Sequence, residues 1–228
     1  MDIRFITETF IKALSGVPIT FAILVVSLVL SFFPALLLAL GQIYDWKGIR
    51  GFSVVYLAFI RATPSILLVL FFYSLFPSLL NSFIKAVSIS FDVFAIPPLF
   101  YAFVIYSIMV TGPLSELMRS AILTVDKGQL EAGHALGLTT YQAYSRIVFP
   151  QAIRAALPNF CNLVVNVVKS TSIVFVMTVK DITAIAKVEA SYGYHYFEAY
   201  LVIFILYILI CGGIQLVFNW LEKQYAVY

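Results

Sequence analysis

Residues 15–41 read SGVPITFAILVVSLVLSFFPALLLALG, and no charged residue occurs between Lys12 and Asp45. A bilayer-spanning helix needs about 20 predominantly apolar residues, so this stretch is long enough to cross. The pattern repeats down the chain. A second span is expected over about 53–80, with Arg61 near its start, and a third over about 96–123, where no charge occurs between Asp92 and Glu116. A fourth, over about 157–179, is the weakest because Lys169 lies inside it, and a fifth runs from about 197 to 220, between Glu198 and Glu222. The expected fold class is therefore all-α: a polytopic membrane protein of about five transmembrane helices, forming one transmembrane domain over 1–228.

Composition supports this. Hydrophobic residues make up 62% of the 228, charged residues 11%, and the mean hydropathy is +1.01. Soluble domains average about 45–50% apolar and about 25% charged. A chain this apolar cannot keep a wetted surface, so soluble, disordered and disulfide-scaffold classes are excluded. The net charge of +3 is small and dispersed, which points away from nucleic acid. Cys161 and Cys211 lie in or beside apolar stretches and read as small hydrophobes. His134 and His195 are lone imidazoles, so the chain offers no metal-ligand spacing.

Five spans place the termini on opposite sides, and the basic residues choose the orientation. With the N-terminus outside, the inner side holds Lys47, Arg50, Arg61, Arg119, Lys127, Arg146, Arg154 and Lys223, and the outer side holds Arg4, Lys12, Lys85, Lys180 and Lys187. That bias predicts N-out and C-in. Residues 1–14 pattern as a short amphipathic surface helix through Ile3, Ile6, Phe10, Ala13 and Leu14. The segment 180–196 is expected to form an outer surface helix.

The long polar loop 124–156 is the most informative segment. A short helix is expected from about Gly128 to Leu136, stopped by Gly137. Thr139 and Gln142 have capping-box spacing for a second helix, which Pro150 should end or kink. The two helices would make a knob, with Leu130, His134, Leu136 and Leu138 as its apolar surface. Such a surface could rest on its own bundle or enter a cytoplasmic partner, and the residues alone leave both open.

The loop resembles the EAA signature of ATP-binding-cassette importer permeases: Glu-Ala-Ala, three residues, Gly, nine residues, Ile, one residue, Leu-Pro. Here Glu131-Ala132-Gly133, Gly137, Ile147 and Phe149-Pro150 stand at those spacings, with Gly133 for the second Ala and Phe149 for Leu. The likeness extends to Phe59-Ile60-Arg61-Ala62-Thr63-Pro64, Lys127-Gly128-Gln129-Leu130-Glu131-Ala132 and Val168-Lys169-Ser170-Thr171-Ser172, and covers about 16–220. These stretches are similar to the histidine/glutamine/arginine/cystine branch of polar-amino-acid permeases.

The resemblance implies an ATP-driven amino-acid uptake system of a prokaryotic cell membrane. This chain would be its transmembrane subunit, with cystine or another polar amino acid as substrate. It implies a second permease chain, identical or a sister, two copies of an ATPase subunit and an external solute-binding protein. Gln129, Glu131, Ala132, Gly133, Gly137, Ile147 and Pro150 would form the ATPase-coupling surface. The chain has no Gly-x-x-x-x-Gly-Lys-Ser/Thr, so ATP and Mg are expected on the partner ATPase and no cofactor on this chain.

Ionisable groups inside a membrane are costly, and each marks a candidate site. Asn159, Asn162, Asn166, Lys169 and Ser170 share one helical face, which could line a solute path or join helices by hydrogen bonds. Glu116 and Arg119 stand at i, i+3 and could pair. They match the family's Glu and Arg near the path, although Thr111-Gly112-Pro113 departs from its Ser-Ala-Tyr. Arg61 reads first as a headgroup anchor and second as a gate. The substrate-path candidates are thus Asn162, Asn166, Lys169, Ser170, Glu116, Arg119 and Arg61. The alternative is a self-contained ion-coupled transporter using Lys169 and Glu116. Such proteins usually carry internal repeats, and none is found here. A membrane enzyme would need clustered nucleophile, base or metal groups, which the sequence does not offer, so a transport subunit without catalytic residues is expected.

Overall fold

The computed structural model describes residues 2–225, which form ten α-helices joined by short turns. Ile3–Leu14 is α1, Val17–Ile43 is α2, Lys47–Ala62 is α3, Ser65–Ala86 is α4 and Pro98–Leu123 is α5. Lys127–Ala135 (α6) and Thr140–Ala143 (α7) form the knob, followed by Phe149–Thr171 (α8), Ile182–Ser191 (α9) and Tyr196–Tyr225 (α10). Four segments, Ile3–Ile43, Ser65–Ala86, Pro98–Leu123 and Tyr196–Gln224, are long and apolar enough to cross a membrane. Helix α8 is 23 residues long and packs between α5 and α10, but it carries Arg154 and Lys169.

The α2–α5 pair is the spine, and the two helices run parallel. Ile23 packs with Tyr101 and Ala102 at one end, and Leu40 and Ile43 pack with Ala121 and Ile122 at the other. Their buried faces are rich in small residues: Ser27, Ser31, Ala35 and Ala39 on α2, and Ala102, Ser107, Thr111 and Ser115 on α5. Apolar lipid provides little drive for helix association, so close approach across small side chains supplies the packing. Most of the buried hydroxyls there donate to their own helices, Ser31 to the Ser27 carbonyl at 2.6 Å and Thr111 to the Ser107 carbonyl at 2.7 Å, whereas the Thr20 hydroxyl has no partner among the described residues.

The end carrying residues 124–148 is termed the loop end, the other the far end. At the far end α1 and α9 pack on α10 around Ala13, Ala186, Ala190, Ala199 and Val202. Helix α1 turns Ile6, Phe10 and Ala13 inward and leaves Ile3, Ile11 and Leu14 exposed, and Lys12 pairs with Glu189 of α9 at 2.6 Å. So α1 docks on protein along one face.

The expected second span, 53–80, is two helices. Thr63 is extended (φ −99°, ψ 128°) before Pro64, because a proline ring drives the preceding residue out of the α region. The break leaves α3 to cross α5 at Gly112, where Tyr56, Leu57 and Ile60 close in. The span expected at 157–179 belongs to a helix that starts at Phe149, because α7 passes through a π-helical turn, Tyr144–Val148, directly into α8. Pro150 therefore neither ends nor breaks the helix. It directly follows the π-helical turn, whose wider winding (Phe149 N–H to the Tyr144 carbonyl) lies just before the proline.

Candidate functional site

Two regions of the molecule hold the candidate site residues. The first is the knob. Asp126 caps α6 by accepting from the Gly128 N–H at 2.6 Å. Helix α6 stops in a Schellman turn: Leu138 N–H donates to the Gly133 carbonyl (3.1 Å) and Gly137 N–H to the His134 carbonyl (2.9 Å), with Gly137 at φ +81°. The next helix opens with the capping box, as its spacing predicts: Thr139 N–H donates to Gln142 Oε1 at 2.9 Å and Gln142 N–H to Thr139 Oγ1 at 3.3 Å. Gly133 is buried at the elbow, and a Cβ there would stand 3.1 Å from Ile147 Cδ1 and 3.4 Å from Ala143 Cβ. Gly133 and Ile147 therefore meet, and a methyl at the elbow would require the Ile147 tip to shift by a few tenths of an ångström. Gln129, Glu131, Ala132 and Leu136 face outward, Leu136 being 83% exposed. Tyr144, in the π turn, donates or accepts a hydroxyl bond with Tyr44 at 2.7 Å, which ties the knob to the α2–α3 corner.

The second region is the crossing of α3, α5 and α8. Arg61, in the last turn of α3, forms an ion pair with Glu116 of α5. That pairing replaces both the expected Glu116–Arg119 contact and the headgroup-anchor reading of Arg61. Glu116 lies seven residues before the end of α5, about 10 Å up from the loop end. The Arg119 Nε is buried without a hydrogen-bond partner among the described residues. Beside the pair lies a cavity of about 240 Å³, lined by Arg61, Ser65, Tyr106, Pro113, Asn166 and Ser170 among others. The Tyr106 hydroxyl donates to the Ser170 carbonyl at 2.7 Å. Larger grooves of about 590 and 570 Å³ are lined almost wholly by apolar side chains such as Leu30, Leu37 and Phe52, or Leu28, Phe33 and Phe160.

Asn159, Asn162, Asn166, Lys169 and Ser170 of α8 lie within an arc of about 100° at 3.6 residues per turn. Asn159, Asn162, Asn166 and Lys169 are exposed and Ser170 half-buried, while Cys161, Leu163, Val164, Val165, Val167 and Val168 on the other faces are buried. The helix packs on its own chain by its apolar side and leaves its polar stripe uncovered. Lys169 and Ser172 also border a cleft against Tyr200, Phe204 and Tyr207 of α10.

Across residues 3–227 the chain matches the profile of a family described as the binding-protein-dependent transport system inner membrane component. The chain belongs to this family. This permease is 32% identical over 208 residues to the L-cystine transport system permease protein TcyL of Bacillus subtilis (strain 168), covering 91% of this chain and 84% of that one. It is 33% identical to the nopaline transport system permease protein NocM of Agrobacterium fabrum (strain C58 / ATCC 33970), over 92% and 86%. Its structure superimposes on a crystal structure of an amino acid ABC transporter with histidines at TM-score 0.73 and 26% identity, over 96% and 94% of the two chains. A MetNI methionine ABC transporter chain shares the fold at TM-score 0.71 and 16% identity. The permease is thus a membrane transport subunit of the amino-acid ABC type and not itself an enzyme. Its family works with an ATPase and a substrate-binding protein. The ion-coupled alternative finds no counterpart in these likenesses.

Of the sequence-derived candidates, the structure brings Arg61, Asn166 and Ser170 to one cavity, with Glu116 paired at its edge. Asn162 lies on the same stripe of α8 further toward the loop end, and Lys169 turns toward α10. Sequence reasoning missed Ser65 and Tyr106. Ser65 follows Pro64 directly, and a break at that proline would have pointed to it. Tyr106 precedes Pro113 by seven residues and so shares its helical face, a signal hidden among apolar neighbours. Asp181 was missed as well. It is fully buried between α8 and α9, caps α9 through the Ala184 N–H at 2.8 Å and accepts from the Tyr207 hydroxyl at 3.4 Å. Burial pushes its carboxyl up, and these donors pull the other way.

Proposed function

We propose that the permease imports an amino acid, with cystine or another polar amino acid as its substrate, along a path that includes the uncovered stripe of α8. One observation carries this reading: Asn159, Asn162, Asn166 and Lys169 are exposed on a helix that packs inside a membrane bundle. Amides and an ammonium cannot be left against hydrocarbon, so a second permease chain and water must cover them. The cavity beside Arg61 and Glu116 takes in Asn166 of this stripe and is suited in scale to one amino acid.

In the same reading two permease chains pair, identical or sister, and two ATPase subunits each receive one knob. Gln129, Glu131, Ala132 and Leu136 face the socket, while Gly133, Gly137, Ile147 and Pro150 set the knob's shape. ATP and Mg would be held by the ATPase. The loop end then lies in the cytoplasm of a prokaryotic cell, with α1 and the start of α2 outside and the C-terminus inside. The final residues, 226–228, lie outside the described ones. The external binding protein delivers the solute at the far end, near α9. Native mass spectrometry of the tagged permease, purified gently from its own membrane, tests this. Two permease chains carrying two ATPase chains support it. Release of the permease without any nucleotide-binding partner, even after mild crosslinking at 124–156, overturns it.

A further inference from the structure

A second buried polar cluster lies at the far end, outside the cavity. Asp181 is fully buried where α9 begins, and among the described residues no ammonium or guanidinium pairs with it. The Ala184 N–H reaches its carboxylate at 2.8 Å, but the Tyr207 hydroxyl of α10 stands at 3.4 Å. That hydroxyl is also 3.4 Å from Thr171 Oγ1, at the end of α8. Hydrogen bonds between a hydroxyl and oxygen centre near about 2.7–2.8 Å, so both contacts are slack. Two further hydroxyls, Thr20 Oγ1 on α2 and Thr183 Oγ1 on α9, are buried without a hydrogen-bond partner among the described residues. Ser31 and Thr111 donate to the carbonyl one turn back in their own helices, and Thr20 does not. Thr20 lies one turn after Gly16 and shares its face. A Cβ on Gly16 would overlap the Asp181–Ile182 backbone, so the start of α9 rests directly on that face. The Tyr207 hydroxyl is the hub, faced by the hydroxyls of Thr20, Thr171 and Thr183 and by the Asp181 carboxylate.

We infer that this cluster is a two-state latch: here Tyr207 bridges Asp181 and Thr171, and in the alternate state of the transport cycle the Thr20 and Thr183 hydroxyls take up bonds to Asp181 and Tyr207. A buried hydroxyl without a partner destabilises the arrangement it is found in, and the cost is recovered in an arrangement where it bonds. Idle hydroxyls beside slack ones therefore bring two packings of α2, α8, α9 and α10 close in energy, as a switching element requires. Either way the buried carboxylate keeps its donors, so the helices can shift without stranding a charge. The link from α8 to α9 also holds a non-glycine residue in the left-handed region, Thr178 at φ +60°, which suits a strained hinge. The latch rests on the import reading, because it needs a transport cycle, but not on which solute moves.

The test pairs two measurements on Thr20→Val, which keeps the shape of the side chain and removes its hydroxyl. One is uptake of labelled polar amino acids, L-cystine among them, by cells carrying the whole transporter, above that of cells lacking the permease. The other is thermal unfolding of the purified permease–ATPase complex. Thr20→Val should unfold at the wild-type temperature or higher, because it removes an unpaired buried hydroxyl. Its uptake should nevertheless fall at least about fivefold, the shift that one ordinary hydrogen bond makes in a two-state equilibrium. Thr20→Ser, which keeps the hydroxyl, should restore uptake, and Thr183→Val should act as Thr20→Val does. Wild-type uptake by either valine variant overturns the latch. So does a fall in unfolding temperature that accompanies the loss of uptake in Thr20→Val, which would make Thr20 a packing residue of this state. A Thr20→Ser variant no better than Thr20→Val also overturns it, because the hydroxyl would then not be the active group. Absence of uptake by the wild-type transporter overturns the import reading itself, and the latch falls with it.

Discussion

The knob and the helix crossing sit about 10 Å apart along α5, yet they are built by different physics. The knob is local. Its caps and its turn each join residues close in sequence: Asp126 to Gly128, Gly133 to Leu138, Thr139 to Gln142. The crossing is non-local. It joins Arg61 to Glu116 and Tyr106 to Ser170, over 55 and 64 positions of chain. A surface that must fit a partner is shaped by backbone caps and one left-handed glycine. The crossing, the proposed path, is closed by a single ion pair and a few hydroxyls, which can exchange partners at small cost. The comparison teaches that the locally capped knob is the more rigid of the two and the crossing the more polar and adaptable.

The sharpest way to break this contrast is at the knob. Glu131→Lys or Gly137→Asp should abolish uptake while the chain still inserts. Glu131 is exposed and supports no internal contact among the described residues, whereas any side chain at Gly137 is strained at φ +81°. Normal uptake by both variants, measured with labelled substrate in cells, would remove the knob from coupling.

At the crossing the expected effects are graded. Arg61→Ala should leave Glu116 uncompensated, and Glu116→Ala should leave Arg61 so. Both side chains are partly exposed, at 58% and 31%, so the pair is worth about 1 kcal/mol or less after solvent screening. A double-mutant cycle on thermal stability should therefore give a small coupling, while uptake falls in each single variant. A coupling of several kcal/mol would mark the pair as a structural staple. Lys169→Ala should weaken the uptake dose–response several-fold without changing ATPase co-purification, and an unchanged curve would return Lys169 to a packing role.

The smallest effect sharpens the knob's description. Gly133→Ala restores the family's second Ala but places Cβ 3.1 Å from the flexible tip of Ile147, so a stability loss of at most about 1 kcal/mol is expected. Ile147→Val in the same chain should recover most of it. Additive losses in calorimetry would mean that the two residues do not touch.

These differences explain what could be read in advance. The all-helical membrane fold, α2, α5 and α10, and both knob caps were legible, because hydropathy over about 20 residues and short-range hydrogen bonding are written in consecutive positions. The break at Pro64 was not legible, since membrane helices tolerate proline: Pro34, Pro77, Pro113 and Pro158 all lie inside helices here. Nor was the partner of Glu116. Arg119 is its neighbour by spacing, but the tilt of α3 across Gly112 brings Arg61 to it instead.

The sequence by itself thus determined that this chain crosses a membrane and carries a capped, glycine-hinged knob, because both follow from local periodicity and local hydrogen bonds. Only the tertiary structure decided which polar groups meet. Small residues on α2 and α5 let those helices close tightly, α3 was free to cross them after its break at Pro64, and α8 was left with its amides uncovered. Pairings of that kind depend on helix tilt and depth, which no spacing along a single chain encodes.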